Sequence, residues 1–150
     1  MNTPTLPDAL RALLADSMTL YLKSLTFHWN VEGEHFDTLH ALFEKHYRAL
    51  IDANDEIAER LRAMGHYVPV SYDTLKAQSA LRLPEKNPDA TTMIRQLADD
   101  HHHIAHESCS LVFKQAEKEG DIVSADLATR RADFHEKTHW MLTSLLKKGS

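Results

Sequence analysis

The sequence predicts an all-α protein, a four-helix bundle with a short extra helix in the long connection between helices two and three. Three observations carry this. The 150 residues include only four Gly and five Pro, and the Pro are confined to the start and to residues 69–88. Breakers so few and so clustered leave room for long helices. Apolar residues recur at helical spacings through three stretches, the pattern of helices that bury one face. Residues 65–88 are too long for a tight turn, which suits a crossover joining two parallel helices of a bundle. One such domain spanning 1–150 can bury roughly 68–70% of its unfolded surface without staples. A single Cys excludes an intrachain disulfide framework, and no apolar run approaches the ~18 residues of a membrane span. The default compartment is therefore a reducing cytoplasm, with no membrane partner expected.

Residues 8–31 form the first predicted helix, opening at Asp8 after Pro7 and closing before Gly33. Its stripe runs Leu10, Leu14, Ser17, Tyr21, Leu25, His28. The second helix runs from Asp37 to Gly65, a rod of roughly 42 Å at ~1.5 Å per residue. Phe36, Leu39, Phe43, Tyr47, Leu50, Ile57, Leu61 and Met64 are its expected core stripe. A short helix is predicted near 72–79. The third long helix runs from Asp89 to Glu119 and stops at Gly120; Cys109 on it reads as a small buried residue. The last covers about 122–147, with Leu127, Phe134, Met141, Leu142 and Leu145 as its core stripe.

Beside the core stripe of the second helix lies a mixed one: His40, Glu44, Ile51, Asp55 and Glu59. His40 with Glu44, and Asp55 with Glu59, are i,i+4 pairs close enough to share an ion. The midpoints of the two pairs are separated by roughly 22 Å along the rod, so one chain cannot close both on one metal. Two copies can. An antiparallel pairing about a two-fold near residues 49 and 50 sets His40 and Glu44 of one chain against Asp55 and Glu59 of the other, twice over. His28, at the end of the preceding helix, adds an imidazole.

The runs FHWNVEG, FDTLH, FEKHY and DEIAER, with HEKTHWMLTSLL in the last helix, closely resemble the Dps mini-ferritins, the DNA-binding proteins from starved cells within the ferritin-like superfamily. The likeness covers nearly the whole chain. It implies that His28, His40, Asp55 and Glu59 correspond to the family's iron ligands and Glu44 to a carboxylate position. It further implies a ferroxidase centre at a two-fold, able to hold two irons, that oxidises Fe(II) preferentially with hydrogen peroxide. The product would be stored as ferric mineral in a twelve-subunit cage, protecting against oxidative damage. Trp29 beside such a centre is expected either to pack or to absorb stray oxidising equivalents. Mixed imidazole and carboxylate ligation suits Fe(II), with Zn or Mn as competitors. In Dps cages the region of Asp121 and Asp126 lines three-fold pores; otherwise, acids in a first helical turn simply complement the dipole.

The alternative is a DNA-compacting structural cage with weak or no ferroxidase activity, associated with the nucleoid. Net charge −5 and an N-terminal MNTPTLPDAL without Lys or Arg oppose it, because nonspecific DNA affinity comes from Lys and Arg displacing counterions. Lys147 and Lys148 are too few to substitute. A larger ferritin-type centre inside one bundle would need Glu-x-x-His motifs on two helices. In DDHHHIAHE, His102 and His106 are an i,i+4 pair able to take adventitious metal, although most of these imidazoles are expected in solvent. His135, Glu136 and His139 match the HExxH zinc-protease pattern, but that pattern needs a third ligand and residues 140–150 hold no His, Asp, Glu or Cys.

Overall fold

In the computed structural model, which describes residues 2–148, the chain runs α1 (Leu6–Asn30), α2 (Phe36–Ala63), α3 (Tyr72–Gln78) and α4 (Ala90–His103). A five-residue π turn (Ile104–Ser108) joins α4 to α5 (Cys109–Glu119), and α6 (Ile122–Leu145) follows. No strand occurs among the described residues. α4, the π turn and α5 together are the predicted third long helix.

Local chemistry sets the ends. α1 begins two residues earlier than the reading from Asp8, because Thr5 is the cap. Its hydroxyl accepts from the Asp8 N–H at 3.3 Å while the Asp8 carboxylate accepts from the Thr5 N–H at 3.1 Å, a reciprocal capping box. Asp89 caps α4 as expected, accepting from Thr92 N at 2.8 Å. Asp37 does not cap α2; the cap position is His35, with no side-chain bond, and Asp37 sits in the first turn. Gly120 ends α5 at φ +69°, the left-handed conformation that glycine adopts without a Cβ penalty, and α6 starts at once.

Short links make α1 and α2 one antiparallel hairpin, and α5 and α6 another. α1 packs on α2, and α6 packs on α4 and α5. Leu10, Leu13, Leu20, Phe43, Leu50, Ile57, Met93, Leu97 and Val112 are fully buried where the pairs meet. The crossover between α2 and α4 is fastened to α1 by polar contacts. The buried Asp16 carboxylate accepts from Ser79 Oγ, Ala80 N and Ser108 Oγ at 2.9, 2.8 and 2.6 Å. Lys23 donates to Asp100 at 2.8 Å and to the Arg82 carbonyl at 3.0 Å. Such buried charges are tolerated because each is multiply bonded.

Two core expectations are corrected. Phe36 is 40% exposed and stacks on His40 with ring centroids 4.9 Å apart, because it sits at the mouth of the hairpin, before α2 reaches the core. Met141 and Leu145 are also exposed; α6 buries Ser124, Ala128, His135 and Thr138 alongside Leu127 and Leu142. The bundle centre accepts polar side chains there that an apolar stripe does not reveal.

Candidate metal centre

The site grows from the α1/α2 hairpin. His28 ends α1 and His40 lies in the second turn of α2, so closing the hairpin stacks the two rings, with centroids 3.8 Å apart and planes 14° from parallel. Each ring is then fixed by the other residue's backbone. His28 Nδ1 lies 2.7 Å from the His40 carbonyl oxygen, and His40 Nδ1 lies 2.7 Å from that of His28. A carbonyl only accepts, so both Nδ1 atoms carry the proton and both Nε2 atoms keep a free lone pair. Metal-ligating histidines are held in just this way by an outer hydrogen bond.

Glu44, one turn after His40, brings its carboxylate to 3.8 Å from His28 Nε2 and 3.5 Å from Arg48 Nε. Tyr47 meets His28 edge-on with centroids 5.3 Å apart. Two imidazoles and one carboxylate of the five predicted residues therefore come together within one chain.

Asp55 and Glu59 do not join them. Helix α2 is unbroken from Phe36 to Ala63, which holds the two acids roughly 22 Å away along its axis. Both are exposed and enter none of the ion pairs formed among the described residues. Ile51 lies one turn before Asp55 and is 49% exposed. Among the described residues no three ligating side chains converge on one point within the chain. A surface depression lies in the groove between α5 and α6 around Phe113 and Ala132, away from this face.

The remaining predicted positions have local partners. Asp121 caps α6 by accepting from Ser124 N at 2.9 Å and also pairs with Arg60 at 2.8 Å. Burial works against its ionisation, but the Ser124 and Arg60 hydrogen bonds outweigh it and lower the carboxyl to about 2. Asp126 is exposed and accepts from Arg130 at 2.8 Å. His102 and His106 are exposed, with ring centroids 4.3 Å apart. Cys109 is buried, and burial raises its thiol to about 12. The Glu-x-x-His spacing of an intrabundle centre occurs at Glu32–His35 and Glu136–His139, but Glu32 and His35 sit exposed in the α1–α2 link and Glu136 is exposed on α6. No such pair faces the bundle interior.

The sequence reading missed the histidines that do face it. His46 from α2, His101 from α4 and His135 from α6 are all buried. His101 and His135 share a proton between Nδ1 atoms 2.8 Å apart, and His46 lies edge-on to His101 at 5.9 Å. Burial drives His46 down to about 4 and pushes His101 and His135 well below the ordinary imidazole value, with the Arg131 charge reinforcing the shift in both. The spacing carries a signal: His46 stands three residues after Phe43 and four before Leu50, His101 four after Leu97, and His135 seven before Leu142, each on the buried face of its helix.

Comparison with known proteins agrees with this architecture. The ferritin-like domain family matches residues 7–150. A DNA protection during starvation protein of Helicobacter pylori is 30% identical over 93% of this chain and 96% of its own. An uncharacterized low temperature-induced protein of Nostoc is 34% identical over 89% of this chain and 75% of its own. The crystal structure of Dps from Staphylococcus aureus superposes with a TM-score of 0.92 at 28% identity, covering 96% of both chains. That of the Vibrio cholerae protein, described as one of the ferritin-like diiron-carboxylate proteins, gives 0.90 at 28% identity over 95% of this chain and 89% of that one. The chain is thus a ferritin-like bundle. Within that class it belongs to the Dps mini-ferritin family.

Proposed function

We propose that the protein stores iron and protects against oxidative damage by oxidising Fe(II) at a centre shared between two copies of the chain. The observation that carries this is the reciprocal His28/His40 lock, which leaves two bare Nε2 lone pairs, that of His28 3.8 Å from Glu44, while Asp55 and Glu59 sit on the same helix beyond reach. Membership of the Dps family supports iron storage and protection as the broad role. An antiparallel pairing of α2 with its copy would bring one chain's imidazoles to the other's acids and cover the exposed Ile51 at the seam. His28, His40, Glu44, Asp55 and Glu59 are then the ligands, with Asp55 the candidate bridge between two irons.

Iron is the substrate here. Neutral imidazoles hold Fe(II), and carboxylates favour the Fe(III) product. Two Fe(II) ions give one electron each; one hydrogen peroxide takes both, its O–O bond breaks, and with two protons it leaves as two waters. Pairing the electrons avoids releasing hydroxyl radical. Assembly into a dodecamer, and entry past Asp126, whose carboxylate and that of Glu56 both pair with Arg130, belong to the same reading. The formal net charge of −5 disfavours the DNA-compacting alternative.

Subunit mixing tests it. His40→Ala and Asp55→Ala proteins, each inactive in peroxide-driven Fe(II) oxidation, should recover partial activity once their subunits are exchanged, because one of the two centres in a mixed pair keeps all its ligands. No recovery despite proven exchange, or full activity of Asp55→Ala alone, would defeat the shared centre. Retardation of DNA at low salt with no Fe(II)-dependent peroxide consumption would favour the compacting cage.

A further inference from the structure

Away from the α1/α2 edge, the packing of α4 on α6 brings two short ligand pairs face to face. His102 closes α4 and His106 lies in the π turn, an i,i+4 pair. Glu136 and His139, an i,i+3 pair, lie on α6. The His102 ring is 4.3 Å from that of His106 and 5.1 Å from that of His139, centroid to centroid. His106 Nε2 is 3.8 Å from Glu136 Oε1. His139 Nδ1 lies 2.9 Å from the Ala98 carbonyl oxygen, so it donates there and leaves Nε2 as a free acceptor. That is the same outer-shell lock that orients His28 and His40.

We propose that His102, His106, His139 and Glu136 form a second metal site, specific for a borderline divalent transition cation of the Zn2+ class. The donor set is three nitrogens and one oxygen, richer in imidazole than the carboxylate-weighted set proposed for iron, and imidazole-rich sites favour Zn2+, Cu2+ or Ni2+ over Fe2+. One carboxylate opposite a divalent ion leaves the loaded site at a single positive charge.

No three of these donors point at a common position among the described residues. The side chains of His106 and Glu136 are 49% and 59% exposed, and His102 is exposed as well. Closing the site therefore takes rotation about side-chain bonds while the locked His139 serves as the fixed anchor. Tetrahedral Zn2+ with ligand bonds near 2.1 Å needs donor atoms about 3.4 Å apart, a spacing within reach of rings whose centroids already lie 4.3 Å apart. The π turn is the second mark of the site. It places His106 in a wider turn between two α-helical segments, and such turns occur frequently where helices carry function.

Equilibrium dialysis of the full chain against Zn2+ alone, compared between wild type and variants, tests this by difference. His102→Gln combined with His106→Gln should remove one Zn2+ per chain. His139→Gln and Glu136→Gln should each weaken that one ion by roughly tenfold or more, the size of loss that even outer-shell changes produce. With Co2+ in place of Zn2+, the wild-type difference spectrum should show the intense visible bands of four-coordinate cobalt, absent in the double variant. Thermal unfolding of the His102→Gln/His106→Gln and Glu136→Gln variants without added metal should match wild type, since these three side chains are exposed. Unchanged Zn2+ stoichiometry in the double variant overturns the site. Wild-type affinity in both His139→Gln and Glu136→Gln overturns it too, leaving only an adventitious two-histidine pair.

Discussion

Two groups of histidines in this chain have opposite surroundings. At the α1/α2 edge, His28 and His40 are oriented by backbone carbonyls, and the free nitrogen of His28 faces Glu44 at 3.8 Å. In the bundle centre, among the described residues, His46, His101 and His135 have no carboxylate partner, and His46 Nδ1 and His101 Nε2 have no hydrogen-bond partner. The first group is oriented by the backbone with a carboxylate nearby; the second fills volume and is held neutral by burial. The difference teaches that an imidazole's role follows from which of its nitrogens is occupied and whether a negative charge stands opposite, not from its presence in a helix.

The contrast can be broken most severely at the acids. Asp55→Ala should reduce Fe(II) oxidation in stopped-flow assays by more than the ~10–100-fold typical of losing an outer-shell partner. It should leave thermal stability within ~0.5 kcal/mol, because the side chain is exposed. A large loss of stability with intact oxidation would reverse the assignment of the two regions.

The central group should be visible in the pH dependence of stability. His46 titrates at about 4 in the fold against an ordinary value of 6.5. The unfolded chain therefore binds the extra proton first, and stability rises with pH between those values. His46 contributes its full share above about pH 6.5, and that share is lost as the pH falls toward 4. The loss from this one residue is roughly 3 kcal/mol; His101 and His135 act in the same direction. Denaturant unfolding between pH 7 and 4 measures it, and a flat profile would show that these rings are not held neutral.

A smaller effect separates breaking the buried pair from replacing it. His101→Leu alone strands the His135 Nδ1 and should cost about 1–3 kcal/mol in urea unfolding. Replacing both rings by Leu should recover much of that cost, since exchanging a buried polar pair for apolar groups of similar volume is often neutral. Fe(II) oxidation by the folded fraction should not change in either. The smallest effect is expected at the α6 cap: Asp121→Ala should cost about 1 kcal/mol, seen as a thermal midpoint lowered by a few degrees.

Much of the architecture can be read without coordinates. The spacing of Leu39, Phe43, Leu50, Ile57 and Leu61 places one face of α2 in the core, and Gly120 and Asp89 mark ends that the structure keeps. The π turn could not be read, because DDHHHIAHES keeps an uninterrupted helical pattern while the backbone departs from it. Phe36 illustrates the other failure: its spacing continues the core stripe, but the hairpin opens before the core begins, so the ring stacks on His40 instead.

At the site, spacing along one rod is enough to show that His40 and Glu44 cannot meet Asp55 and Glu59 in a single chain, since a helix fixes distance along its axis whatever it packs against. Packing adds what periodicity does not encode. It stacks His28 on His40 and so fixes their tautomers, and it sets His139 and Glu136 against His102 and His106. It also sets His101 against His135 and His46 from two other helices, because spacing from Leu97 can place His101 on an inner face but cannot say which side chains meet it there.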